Sequence, residues 1–420
     1  MTVDLLLPNG LRLLVEPVAQ VRTVSVGIWF PAGSRDDPPG REGAAHLLEH
    51  LVFKGSGRRG ARALAEAMDA LGGQFNAFTT REHTCFHART LGAHLTQALE
   101  LLAELVVAPR LDESDAERER QVVLDELAMI ADDPGESADE SFGRALWGDH
   151  PLGRPEAGTT DSVRALRAAH LAEFHRDHYT AAGGVLAAAG RVDPERLLGA
   201  AERLFAGLGA GTPPVARAPA VPRAEALRRI RASEQAHVVL GTAAPGQADE
   251  ERWAAALLAA VLGGSASSRL FQAVREERGL CYDVGAACGE YSDTGELVVF
   301  LSSAPELVGE AVAVALGEIR ALAAGGVPAA EFARQRGQLL AGLWMGLEST
   351  EARMMRLGRQ AVAGLPLLAP RQVAARLRAV TRTALRTAAE RLGDPGSWAA
   401  AYVGPRGSEP SPWAWTDERP

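Results

Sequence analysis

The sequence predicts an α+β fold built from two similar domains, and three observations carry that reading. Short strand-like segments occur in both halves of the chain, and long helices rich in Ala, Leu, Arg and Glu follow them. The two kinds of element do not alternate regularly, as a doubly wound parallel sheet would require. The densest run of helix and strand breakers falls near the midpoint.

In chain order, apolar periodicity in Leu11–Val15 and Val24–Ile28 predicts the first strands. Gly43–Phe53 is apolar on every side apart from His46, Glu49 and His50, the pattern of a buried helix. Ala93–Val107 and Asp112–Ile130 read as long helices. Ala206–Pro214, with Pro219 and Pro222 beyond it, holds too much Gly and Pro for a helix or a central strand. The boundary is therefore placed there, giving a first domain over 1–206, a linker over 207–222 and a second domain over 223–420. The second half repeats the pattern, with a strand at Ala236–Leu240 and a helix at Glu310–Ala323. A length of 420 residues suits two domains of roughly 200 each.

With 47% apolar and 23% charged residues, the composition is that of a soluble globular protein. A net charge of −9 argues against nucleic acid as the main partner, since phosphate binding wants a basic face. The first ten residues lack a basic segment and a signal-length apolar run, and no 18-residue apolar stretch follows. A cytoplasmic protein without a membrane partner is expected. Cys85, Cys281 and Cys288 are odd in number and form no CxxC pair, so buried free thiols are expected rather than disulfides or a thiolate metal site.

The candidate chemistry lies in His46-Leu47-Leu48-Glu49-His50. Positions i and i+4 stack on one helix face, so both imidazoles can address one ion. Glu49 lies beside that face, where it can hold a water without entering the ligand set. A catalytic zinc takes three protein ligands and keeps a position open. After 75 intervening residues comes Glu126, set among Val122, Val123, Leu124 and Leu127, where a carboxylate wants a partner or a metal. Glu119 lies two turns earlier on the same face. Two readings of it stay open: a carboxylate that holds a ligating histidine, or a solvated charge in the run Glu117–Arg120. His83 and His87 would lie about 13 Å apart along a strand, too far to share an ion.

These motifs resemble the pitrilysin/insulinase family of inverted-zincin metallopeptidases, in its short two-domain form similar to mitochondrial processing peptidase subunits. Pro8-Asn9-Gly10-Leu11-Arg12 looks like that family's opening strand, Gly72–Ala77 like the turn into its substrate-edge strand, and His150–Arg154 like a loop between its elements. Ser267–Phe271, leading to Arg275 and Tyr282, looks like its substrate-contact pair. The resemblance implies two α/β-roll-like domains and a zinc ion on His46, His50 and Glu126. It implies Glu49 as general base, and Arg275 with Tyr282 as substrate and transition-state contacts. Asn76 and Ala77 would receive substrate as an added strand, with Phe53 nearby. Cys85-Phe86 departs from the family's usual aliphatic–tyrosine pair but touches no ligand position. The expected activity is zinc-dependent hydrolysis of internal bonds in unfolded peptides, inside a chamber formed by a homodimer. Two alternatives remain: a processing peptidase for one precursor, and a non-catalytic partner subunit. The second is disfavoured because His46, Glu49, His50 and Glu126 are all present.

Overall fold

The computed structural model describes residues 2–213 and 217–418. The linker positions 214–216 therefore lie outside the described residues. The first half holds strands β1 (Val3–Leu6), β2 (Arg12–Pro17), β3 (Thr23–Phe30), β4 (Gln74–Thr79), β5 (Thr84–Leu91) and β6 (Val185–Gly190). Its helices are α1 (Ala44–Val52), α2 (Ala61–Ala70), α3 (Leu95–Val107), α4 (Glu113–Asp132), α5 (Pro134–Trp147), α6 (Thr160–Ala165), α7 (Ala168–His178) and α8 (Pro194–Leu204). The second half holds β7 (Ala226–Ile230), β8 (Ala236–Ala244), β9 (Asp283–Glu290), β10 (Gly295–Ser303), β11 (Ala399–Gly404) and β12 (Thr416–Asp417). Its helices are α9 (Arg252–Gly263), α10 (Val308–Gly325), α11 (Ala329–Gly346), α12 (Thr350–Val362), α13 (Pro370–Ala379) and α14 (Arg382–Arg391). Among the described residues, no single helix is long and apolar enough to cross a membrane.

Two six-stranded mixed sheets carry the fold, in the orders β1-β2-β6-β3-β5-β4 and β12-β7-β11-β8-β10-β9. The orders match position for position, as two similar α+β domains require. Both contain a parallel pair at the same place in the order, β2 with β6 in the first and β7 with β11 in the second, followed on one side by antiparallel neighbours. The copies differ at one outer edge: β1 runs antiparallel to β2, whereas β12 runs parallel to β7.

The compact units are not the two halves of the sequence. One unit comprises Met1–Leu127, Pro155–Ala216 and Met345–Leu368; the other comprises Ala128–Arg154, Arg217–Trp344 and Ala369–Pro420. Each thus contains a helix encoded in the other half. In the first unit, Val24, Val26, Ile28 and Phe30 of β3 pack into the main core with α1 and α3. On the opposite face of the same sheet, Leu14, Trp29, Cys85 and Val185 pack against Met354, Leu357 and Ala361 of α12. That cover explains why β3 is buried on both faces, where alternation alone predicts one solvated side. Each large side chain sealed there contributes about 1.5–3 kcal/mol. Gly358 lets α12 approach so closely, because a Cβ there would lie 2.2 Å from the Trp29 indole. Polar ties fix the register: Ser25 and Thr350 hydroxyls meet at 3.0 Å, and Arg353 and Arg356 pair with Glu16. In the second unit, Ala138, Phe142 and Leu146 of α5 pack against Leu227, Val239 and Ala401 in the same manner. Asp133 starts α5, accepting from the Gly135 and Glu136 amides, with Pro134 at the first helical position.

Candidate metal centre

Helix α1 begins at Gly43, whose φ of +89° is left-handed and where a Cβ would lie 2.4 Å from the Ala157 carbonyl oxygen. A glycine at this position brings no capping side chain. The cap comes from Asp37, a buried residue whose carboxylate accepts from the Gly43 amide at 2.7 Å and the Ala45 amide at 2.9 Å. Burial pushes the Asp37 carboxyl up to about 7 against the pull of those two amides. The first turn that presents His46 is thereby pinned from a loop. Ala44, Ala45, Leu47, Leu48, Leu51 and Val52 are buried, while His46, Glu49 and His50 form the one partly open stripe.

Helix α4 brings Glu126 to that stripe. His46 Nε2 lies 3.8 Å from one Glu126 oxygen and His50 Nε2 lies 3.8 Å from the other. One donor atom from each of the three residues falls within 4.8 Å of the other two, and among the described residues no other trio of such side chains converges in this way. Zinc–ligand bonds of about 2.0–2.1 Å in a tetrahedron set donors about 3.4 Å apart, so small side-chain movements would close this set around zinc. Burial, with His50 adding repulsion, depresses His46 to about 4, leaving a neutral imidazole able to ligate.

Glu119 is buried, and its oxygens lie 3.6 Å from His50 Nδ1 and 2.9 Å from Lys54 Nζ. It is not a solvated charge. The carboxylate lies on the Nδ1 side of the His50 ring, and Glu126 lies on the Nε2 side. His46 lacks such support: its Nδ1 is buried without a hydrogen-bond partner among the described residues. Glu126 departs from expectation. Its side chain is 41% exposed and Val122 47%, because the apolar neighbours in sequence point around α4 rather than over the carboxylate.

Glu49 faces the sheet, where its Oε2 accepts from the Thr79 hydroxyl at 2.5 Å. Burial, with Glu126 and Glu156 adding repulsion, pushes the Glu49 carboxyl up to about 7 against the pull of Thr79. A carboxyl poised near neutrality beside this donor set can accept and return a proton. Asn76 and Ala77 lie on β4, which pairs with β5 and, among the described residues, has no strand on its other side. Phe53, at the end of α1, packs against the core with its ring 6.1 Å from Phe86. His87 lies on β5, 3.8 Å from Glu351, and His83 packs beside Trp29, so neither joins the donor set. Cys85 is buried, and Cys281 and Cys288 are partly buried; all three are free thiols.

In the second unit, Arg275 lies on a π-helical turn, Phe271–Glu276. Its guanidinium sits 4.8 Å over the ring of Tyr282, which is 74% exposed. Asp37, Lys54 and Thr79 stand out as site residues that sequence reasoning missed. For Asp37 a signal existed: a helix opening on glycine needs an acceptor from elsewhere, and Asp36-Asp37 is the nearest acidic pair upstream.

Converging imidazole and carboxylate donors, with a further carboxylate on the same helix, place this two-domain α+β chain in the class of inverted-motif metallopeptidase folds. The chain belongs to peptidase family M16, the insulinase family. The insulinase (peptidase family M16) profile matches residues 12–160, and the profile described as the peptidase M16 inactive domain matches residues 165–339. An uncharacterized zinc protease of Mycobacterium tuberculosis is 43% identical over 358 residues, covering 84% of this chain and 82% of the relative. One from Streptomyces coelicolor is 38% identical over 392 residues, covering 91% and 85%. The solved structure of a peptidase M16 inactive domain from Pseudomonas fluorescens superposes with a TM-score of 0.90 at 22% identity, covering 96% of this chain and 98% of that one. A Helicobacter pylori protease superposes equally well at 21% identity, covering 96% and 100%. At those identities the superpositions show the fold alone.

Proposed function

We propose that the chain is a zinc-dependent endopeptidase acting on unfolded peptides. The observation that carries this reading is the convergence of His46, His50 and Glu126 beside a carboxylate, Glu49, that shares their helix. The relatives named zinc proteases support it. His46, His50 and Glu126 would hold the ion, with Glu119 orienting His50. Bound zinc would acidify a water and polarise the scissile carbonyl.

The remaining steps belong to the chain. Glu49 takes a proton from the attacking water as the new C–O bond forms, then returns it to the amine as the C–N bond breaks. Asn76 and Ala77 on the open edge of β4 receive the substrate as an extra strand, a mode that reads backbone and so selects unfolded peptides. Arg275 and Tyr282 offer a guanidinium and a phenol to the charge that develops on the carbonyl oxygen. We place the protein in the cytoplasm as a homodimer enclosing a chamber, in which one subunit's Arg275 and Tyr282 serve its partner's metal.

The test is metal analysis of the purified protein, together with cleavage of unstructured peptides of graded length. Zinc near one per chain and internal cleavage are expected. Glu49→Gln should abolish cleavage while keeping the metal; a metal-free variant would instead put Glu49 among the ligands.

A further inference from the structure

Thr79 is the last residue of β4, the strand proposed above to receive substrate, and its hydroxyl meets Glu49 at 2.5 Å. The direction of this hydrogen bond is set by the neighbours. Thr79 stands opposite Thr84 in the β4–β5 register, with the two hydroxyl oxygens 3.4 Å apart. Thr84 spends its own proton on the Ala32 carbonyl at 2.9 Å, in a fully buried position. A carboxylate can only accept, so the Thr79 proton goes to Glu49. With the Thr84 proton committed to the Ala32 carbonyl, the two threonine oxygens only touch, and the Thr79 hydroxyl makes its one donated bond to the Glu49 carboxylate. A charge-assisted bond of this kind is stronger than a neutral one and fixes a rotamer that an isolated glutamate would sample freely.

We propose that Thr79 is a positioning residue that holds the Glu49 carboxylate in the orientation needed for proton transfer, and so references the base to the strand on which the substrate is laid. The helix alone fixes only the Cα of Glu49. The hydroxyl fixes its oxygens relative to β4, so base and scissile bond share one rigid frame. The proposal rests on the peptidase reading for its kinetic consequence, and on the described geometry alone for the hydrogen bond.

Thr79→Val keeps shape and strand preference while removing the hydroxyl. In the zinc-loaded protein it should lower kcat about 10–100-fold, within the span expected of general-base catalysis. KM and bound zinc should stay within about twofold, and Thr79→Ser should restore most of kcat. A wild-type kcat in Thr79→Val, a change confined to KM, or no rescue by serine would overturn the proposal. A second measurement needs no metal and no activity. Thermal midpoints of zinc-free wild type, Thr79→Val, Glu49→Ala and the double variant form a cycle. Midpoint shifts that do not add are expected; strictly additive shifts would also overturn the proposal. If wild type cleaves no peptide, the peptidase reading fails, and the zinc-free cycle still decides whether Thr79 holds Glu49.

Discussion

Stripping the metal and replacing Glu49 by glutamine should stabilise the protein above neutral pH. In the folded chain, burial and the nearby Glu126 and Glu156 carboxylates push the Glu49 carboxyl up to about 7, against an ordinary 4.5. The folded state therefore binds that proton more tightly than the unfolded state does. Its contribution to stability is complete below pH 4.5 and is lost as pH rises through about 7. At roughly 1.4 kcal/mol per pH unit, the gap corresponds to about 3 kcal/mol carried against folding at pH 8.5. Glutamine is neutral throughout and keeps an acceptor for the Thr79 hydroxyl, so Glu49→Gln should recover most of that energy at pH 8.5 and little at pH 4.5. Denaturant titrations of chelator-treated wild type and variant at the two pH values provide the assay. Reloading zinc should shrink the advantage, because the cation favours the ionised carboxylate. An equal difference between the two proteins at both pH values would refute the reasoning, since Glu49 would then ionise as it does in water.

Glu126→Gln should weaken zinc binding more than Glu119→Gln, for which a 10–100-fold loss is expected; chelator competition ranks the two, and unchanged affinity in Glu126→Gln would move the third ligand elsewhere. Gly358→Ala should destabilise the fold by about 1–3 kcal/mol in denaturant titrations, because its methyl would collide with the Trp29 indole. For the proposed dimer, mixing Glu49→Gln subunits with Arg275→Ala/Tyr282→Phe subunits should restore about a quarter of wild-type activity. Half of randomly mixed dimers are mixed, each with one complete site of two. Silence in a mixture shown to exchange subunits would place the pair and the metal it serves in the same chain.

Where information is local, the sequence was readable. Periodicity located β3 and α4 to within two residues, because strand and helix periods are imposed by neighbours in the chain. The stripe of His46, Glu49 and His50 was legible for the same reason, as polar groups on an otherwise apolar helix. Glu126 was singled out by its apolar neighbours and by the family resemblance, but its exposure was misjudged, since apolar neighbours in sequence need not surround a side chain on a helix. Thr79 left no trace because its bond to Glu49 joins a strand end to a helix across 30 positions, and threonine is unremarkable in a strand. The traffic of α5 and α12 between units was invisible too. An amphipathic helix advertises that it will be buried, but not against which sheet.

That traffic has a consequence for how the protein is made. Translation completes the first sheet at Gly190, yet the helix that covers its rear face starts at Thr350. At 5–20 residues per second, the interval is about 10–30 s. Throughout it, Trp29, Leu14 and Val185 have no lid. Helix α5 waits in the reverse sense, emerging before any strand of the sheet it will roof. Neither half can reach its final state on the nascent chain while the other is missing. Selection for a folded donor set on α1 and α4 must therefore also preserve the second half of the gene, since that half encodes part of the first unit's wall.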